Sequence, residues 1–305
     1  MSIQELLRTP APVHAFAAGE GQLVYGRLTR RRDALARVEH TPLPAGWFHL
    51  GPVGLLQVDR QALAGGLATV LRRLERVPQH AGLVAPNAWV RSVVIDAGAL
   101  PRDRREAEEV VRWRLKKLLP CRPEDVRLDF VSGGESERVL VILALDHPLA
   151  VVEETFSAAG VELGRIEPAV LALTALLPAA AMPVLLAAIE ERALALVVLA
   201  GAKPVLVRHK PLPADPRRAE AFIGRELSRT LAHAREQDKL TGPVTVWLAS
   251  ASPGEGGDGV ERWAAVESGV LVRRLAVGAG RVPEFTGVPD VRLWSLLGTA
   301  WGGEA

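Results

Sequence analysis

The sequence predicts a duplicated α/β fold with a second, smaller α+β unit inserted in its first half. Two observations predict it. Strand hairpins followed by a helix and a further buried strand occur early in the chain and again after residue 183. Between them, residues 91–165 read as a compact strand-helix-strand-strand-helix run interrupting the first half. The repeat is one of element order, with no clear residue identity between the halves.

In the first half, QLVYGRL at Gln22 to Leu28 and ALARVEH at Ala34 to His40 alternate as a hairpin with one wet face. The Pro- and Gly-rich stretch from Pro42 to Gly54 reads as a loop, and Gln57-Val58 as a brief strand. Asp59 can cap a helix running to about Glu75, with Leu63, Leu67, Val70, Leu71 and Leu74 on one face. Ser92 to Ile95 is a strand. Asp103 then caps a second helix, with Glu106 at the capping-box position and an apolar stripe of Ala107, Val110, Val111, Leu115, Leu118 and Leu119. Glu108 and Arg112 stand four apart on its other side and can pair. Pro120 stops it. A strand follows in VRLDFV, then a Gly133-Gly134 turn and the strand Val139 to Leu145. A helix from about Pro148 to Ala159 ends at Gly160, a natural left-handed stop.

Three short apolar strands open the second half: Val184 to Glu190, Ala193 to Ala200 and Pro204 to Lys210. A helix from about Pro216 to Lys239 buries Phe222, Leu227, Leu231 and Ala234, and Val244 to Ala249 is a buried strand. The run SPGEGGDG reads as a mobile loop before a short helix near Glu261 to Ser268. The charge-free stretch Ala169 to Ile189 is long enough to span a bilayer. Pro178 and Pro183 interrupt it, so it reads as a buried helix end and a buried strand.

Composition excludes several classes of function. With 37 Lys and Arg against 35 Asp and Glu, the net charge of +2 carries no nucleic-acid signature. Cys121 is the only cysteine, which rules out an intrachain disulfide and a cysteine zinc cage. The seven histidines show neither HxxxH nor HxH spacing, so no metal site is expected. SPGEGGDG lacks the Lys-Ser/Thr of a phosphate loop, and no G-x-S-x-G elbow occurs. The N-terminus has no basic and apolar signal pattern, so a cytoplasmic protein is expected.

Residues in the middle of the chain carry a family resemblance. Leu100-Pro101, the acidic helix with Glu108, Glu109 and Trp113, Leu119-Pro120, Glu124-Asp125-Val126 and Asp129-Phe130 form one ordered series. Leu143-Ala144-Leu145, Ala158-Ala159-Gly160-Val161, Ile166-Glu167-Pro168 and Leu171-Ala172 continue it. The series resembles the PilM-like proteins of type IV pilus assembly, with the inserted subdomain of the cell-division protein FtsA. RLWSLLGTAWGG is similar to that family's returning C-terminal helix. The resemblance implies an actin-like, ribonuclease H-like duplicated two-lobed fold. Its expected divisions are a flexible N-terminus at 1–14, a first lobe at 15–183 carrying the insertion, a second lobe at 184–285, and a returning helix within 286–305.

Departures from the family pattern fall where an actin-like ATPase grips phosphate and metal. Its first Asp-x-Gly turn corresponds to Phe16-Ala17-Ala18-Gly19, without the Asp. At the second, Ala188 and Glu190 stand at the expected Asp and Gly positions, and a glutamate there would repel a triphosphate. The late Gly-Gly pair for adenosine corresponds to Ala249-Ser250-Ala251-Ser252, which has no glycine and is degenerate at Ser250. Adjacent Glu190 and Glu191 point to opposite strand faces; one is expected exposed and the other paired with Arg192 or Arg208. No catalytic residue, cofactor or metal is therefore expected.

The resemblance implies a scaffold at the cytoplasmic face of the inner membrane. There it would bind the tail of a PilN-like single-pass partner and meet other pilus or secretion assembly proteins, with membrane association through those partners. Trp113 is the candidate anchor for the tail, against the alternative of packing on its own sheet. Arg112 and Lys116 are candidates for an acidic partner or lipid headgroups, against ordinary solvation. A divergent ATPase that still binds ATP, and a GspL-like cytoplasmic domain of type II secretion, are the alternatives. The GspL-like family continues into a membrane helix, which this chain is not expected to do after Trp301.

Overall fold

The computed structural model describes residues 13–132, 138–178, 183–190, 193–200, 203–237, 241–250, 257–276 and 290–301. The chain opens with an antiparallel meander of β1 (His14–Ala18), β2 (Gln22–Leu28) and β3 (Leu35–Pro42). His14 is thus the first residue of a strand and not part of a flexible terminus. β1 is invisible to an alternation test because both its faces are covered: Phe16 packs with Tyr25 and Phe156, while Ala15 and Ala17 meet a different helix layer. A second hairpin, β4 (Phe48–Gly51) and β5 (Gly54–Val58), occupies most of the stretch expected to be a loop. Helix α1 (Arg60–Leu71) starts at Asp59, whose carboxylate accepts from the N–H groups of Gln61 and Ala62 at 2.9 and 3.0 Å, and it ends four residues short of Glu75. β6 (His80–Ala85), unforeseen in the sequence, lies parallel to β1.

After a single 3₁₀ turn at Asn87–Trp89 come β7 (Arg91–Asp96), α2 (Arg104–Leu115), β8 (Val126–Ser132), β9 (Arg138–Leu145) and α3 (Asp146–Ala158). Asp103 caps α2 through the N–H groups of Arg105 and Glu106, and Arg112 pairs with Glu108 at 2.8 Å. Gly160, at φ +81°, ends the α3 segment in the left-handed region. The turn at Gly133-Gly134 lies outside the described residues. β7, β9 and β8 form a small antiparallel sheet that α2 covers, with Ile95, Val111, Leu115 and Val141 in its core. Helix α3 does not close this sheet, contrary to the unit expected at 91–165. Its Phe156 packs edge-on against Phe16 at 5.1 Å, and its Val152 joins the same first-half core. The chain returns through β10 (Glu162–Pro168), parallel to β6, into the short helix α4 (Ala169–Thr174).

The second half holds β11 (Val184–Glu190), β12 (Ala193–Ala200), β13 (Lys203–Pro211), α5 (Pro216–Gln237), β14 (Val244–Ser250), α6 (Gly257–Val266), β15 (Val270–Arg274) and α7 (Asp290–Trp301). The last three residues of SPGEGGDG are the first turn of α6, and residues 251–256 lie outside the described residues. The two large sheets run β10-β6-β1-β2-β3 and β15-β14-β11-β12-β13. Each is a three-strand meander whose first strand gains a parallel neighbour, which gains another in turn. That common order is the duplication, and the mixed sheets with helices on their faces are the α/β class expected.

Helix α7 joins the halves. Leu293, Leu296 and Leu297 pack on Ala15, Ala17, Val24 and Ala172, and Val291 reaches the cluster containing Val184 and Ala188. Gly298 lets α7 lie against α4: a Cβ there would sit 2.0 Å from the Ala172 carbonyl oxygen. Among the described residues no helix is long and apolar enough to cross a membrane. The described part of the charge-free stretch comprises α4, the turn after it and β11, with residues 179–182 outside the described residues.

Candidate functional site

Three concave regions stand where the halves and the small sheet meet, one of them a wide opening of about 790 Å³ between β7 and β13. The first is the cleft between the lobes, faced by the β1–β2 turn and the end of β11. Ala17, Gly19, Glu190 and Arg292 are among its lining residues; Ala188 and Ser250 are not. Ala188 is fully buried in β11, and Ser250 ends β14 beside Ile189. Gly19 is held by its own N–H to the Gln22 carbonyl and by the buried Trp47 indole N–H to its carbonyl, both at 2.9 Å. The Arg292 guanidinium lies directly on Gly19, where a Cβ would fall 1.3 Å from Nη1. The enclosed space is about 50 Å³, against roughly 300–1,000 Å³ for small-molecule sites.

Glu190 accepts a hydrogen bond from Asn87 Nδ2 at 2.8 Å, while Asn87 Oδ1 accepts from the Val170 N–H at 2.9 Å. Glu190 thus takes part in this amide bridge; Glu191 and Arg192, on which the expected pairing turns, lie outside the described residues. Arg208 instead approaches Thr230 at 3.5 Å. Buried Asn87 thus links the end of β6, the start of α4 and the tip of β11. Sequence reasoning missed it because a lone Asn after Pro86 reads as a turn residue. Nearby, Glu167 is almost wholly buried, and desolvation pushes its carboxyl above the usual range against the pull of Arg165 and a hydrogen bond from Thr299 on α7.

His209 lines the same cleft, and its Nε2 is buried without a partner. Desolvation, then Lys210, lowers its pKa below 6.5. The folded state therefore takes up the proton less readily than the unfolded chain. This contribution to stability is present above pH 6.5 and is lost as pH falls through the folded value. His209→Gln is expected to flatten the decline in unfolding free energy between about pH 7 and about pH 5, measured by urea titration at each pH; a slope equal to that of the parent would refute it.

The second region is a groove between the first large sheet and the small sheet. It holds about 390 Å³ and runs between β10 and β8. Each is the outermost strand of its sheet, so each leaves one row of backbone N–H and C=O groups unpaired by its own sheet. Half-buried Leu128, Ile142 and Ile166 and buried Leu149 make its walls apolar. Trp89, fully buried, also lines it, and the Trp89 indole N–H has no acceptor. Arg127, held by Asp146 at 2.8 Å and Glu153 at 2.6 Å, fixes one rim. Gly164 lies on the other side, exposed, with open space where a Cβ would stand.

Trp113, Arg112 and Lys116 do not line this groove. Trp113 is 67% exposed on α2, which removes the alternative that it packs on its own sheet. Arg112 is committed internally. Besides Glu108 it donates to the carbonyls of Pro123 and Val126 at 2.6 and 2.9 Å, tying α2 to the start of β8. Lys116 is exposed at the end of α2. Cys121 is half-buried, and desolvation with Asp125 holds its thiol above the ordinary value, away from reactivity. Among the described residues no three His, Cys, Asp or Glu side chains gather as metal ligands.

No family model and no curated protein matches the sequence. Solved structures do. The PilM–PilN type IV pilus biogenesis complex contains a chain superposing at a TM-score of 0.73 with 21% identity, covering 96% of this chain and 99% of that one. The cytoplasmic domain of EpsL, an inner-membrane component of the Vibrio cholerae type II secretion system, gives 0.53 at 11% identity, covering 93% and 92%. A Bacteroides thetaiotaomicron protein with an actin-like ATPase fold gives 0.51 at 8%, covering 93% and 94%. At these identities the likeness establishes the fold: the two lobes with their matching sheets, carrying the small sheet, are an actin-like ATPase fold.

Proposed function

We propose that this protein is a non-catalytic scaffold of a type IV pilus or related secretion complex at the cytoplasmic face of the inner membrane. In this reading the groove between β8 and β10 takes the cytoplasmic tail of a PilN-like single-pass partner, and no nucleotide is turned over. The groove carries the proposal. Two open strand edges offer main-chain hydrogen bonds to an extended peptide, the apolar walls offer side-chain pockets, and the Trp89 N–H lacks an acceptor. Its place beside the small sheet, in a chain similar to the one from a PilM–PilN complex, supports a peptide tail as the occupant. The docking residues are then those of the groove, in place of Trp113, Arg112 and Lys116.

The inter-lobe cleft supports the non-catalytic part. Ala17 and Ala188 supply no metal-shell carboxylate, Glu190 puts an acid where a triphosphate would lie, and the Arg292 side chain fills the space over Gly19. A synthetic, fluorescently labelled cytoplasmic tail of a PilN-like protein should bind the full chain with a Kd near 1 μM. Mg-ATP should give no calorimetric signal up to about 1 mM. Micromolar affinity for Mg-ATP would favour the divergent ATPase and overturn the non-catalytic claim. Absence of tail binding would overturn the scaffold.

A further inference from the structure

The fold does not use the outer end of α2. Its apolar stripe, Ala107, Val111 and Leu115, is buried against the small sheet. The helix ends at Leu115, short of Pro120, so Leu118, expected in that stripe, lies in the turn beyond it, 51% exposed, and Trp113 on α2 is 67% exposed. Exposing an indole to water to this extent forgoes one of the largest burials a side chain offers. These two apolar groups are set in a run of one charge. From Val110 to Pro123 the sequence has Arg112, Arg114, Lys116, Lys117 and Arg122 and no Asp or Glu. Arg112 is paired with Glu108, and Arg122 with Asp125. Arg114, Lys116 and Lys117 are exposed and have no carboxylate partner among the described residues. Arg114 sits over the Trp113 ring at 5.1 Å.

We infer that this helix end is a direct contact for an anionic bilayer. Tryptophan in the last turn of a helix and leucine in the turn after it, within a run of lysine and arginine, suit the interface: the apolar groups enter the headgroup boundary and the cations meet lipid phosphate. The chemistry is that of a surface contact and not of a peptide site, because the residues are exposed at and just past the end of α2 and line neither the groove nor the cleft. The position fits a bilayer as well. Arg104 bonds Asp129, and Arg112 bonds the Val126 carbonyl, so α2 is fastened to β8, one wall of the groove. The inference goes beyond the tail-binding scaffold; only the argument from position rests on that reading, while exposure and charge carry the rest.

The test is flotation of the purified full chain with vesicles of phosphatidylcholine alone or with a third of phosphatidylglycerol. Binding is expected only to the anionic vesicles and should weaken as salt is raised. Trp113→Ala with Leu118→Ser should reduce the partition coefficient about tenfold, and Lys116→Gln with Lys117→Gln should do the same. All four side chains are exposed, and circular dichroism of each double variant checks its fold. Equal recovery with both vesicle types, or anionic binding untouched by both double variants, would overturn the inference. So would loss of binding to polyglutamate with vesicle binding unchanged, since the surface would then serve an acidic protein. A chain that floats but ignores the partner tail would break the scaffold reading and leave this one standing.

Discussion

Gly298→Val is expected to destabilise the protein by at least about 3 kcal/mol and to lower its thermal midpoint by several degrees. The reason lies in what the new side chain would meet. Its Cβ would stand 2.0 Å from the Ala172 carbonyl oxygen and 2.7 Å from the carbonyl carbon, both backbone atoms that no rotamer change can move. Helices α4 and α7 would have to separate. Leu293, Leu296 and Leu297 would lose part of their packing on the first large sheet, and the Thr299 hydroxyl would draw away from buried Glu167. Overpacking a core costs about 1–3 kcal/mol, and a buried acceptor stripped of its partner costs about 1–3 kcal/mol more. Thermal and guanidinium unfolding measure it. Gly298→Ala carries the same Cβ and should already show part of the loss; an unchanged midpoint for alanine would contradict so close an approach of the two helices.

Gly164→Phe is expected to weaken tail binding by ten- to a hundredfold, about 1.4–2.7 kcal/mol, while leaving the unfolding midpoint within about a degree of the parent. Gly164 is exposed on β10 with nothing near its missing side chain, so a ring there meets open space and not protein. That space is the groove. A phenyl group would occupy the path of an extended peptide and shield the strand edge it must pair with. Trp113→Ala should leave tail affinity unchanged, because that ring is on the outer face of α2. Anisotropy titrations of the labelled tail with both variants decide the matter. Undiminished binding by Gly164→Phe would move the tail out of this groove.

Much of the fold was legible where the physical cue is local. Asp59 and Asp103 cap the helices they precede, Glu108 meets Arg112 one turn on, and the apolar runs at Val184 to Glu190 and Val244 to Ser250 are central strands. Strands defined by distant neighbours were not legible. HAFAA in β1 and HAGLVA in β6 carry no alternation because helices cover both faces of their sheet, and β10, ELGRIEP, reads as polar because it lies at an edge. The site followed the same division. That the turn after β1 and the tip of β11 face one cleft came from the resemblance. Asn87, Arg292 and the two edge strands of the groove come together only when segments far apart in sequence are folded, and nothing in the neighbours of Asn87 announces a partner 103 residues away.

The Asn87 bridge has a consequence for how the molecule samples its shapes. One side-chain amide, fixed to α4 by the Val170 N–H, crosses to the second lobe through a single hydrogen bond to Glu190, worth about 1 kcal/mol net. That one bond biases the closed arrangement over an opened one by a ratio of about five. The apolar packing of α4 and α7 against both sheets is what keeps the two bodies together, and the amide adds to it a small directional preference at the rim of the cleft.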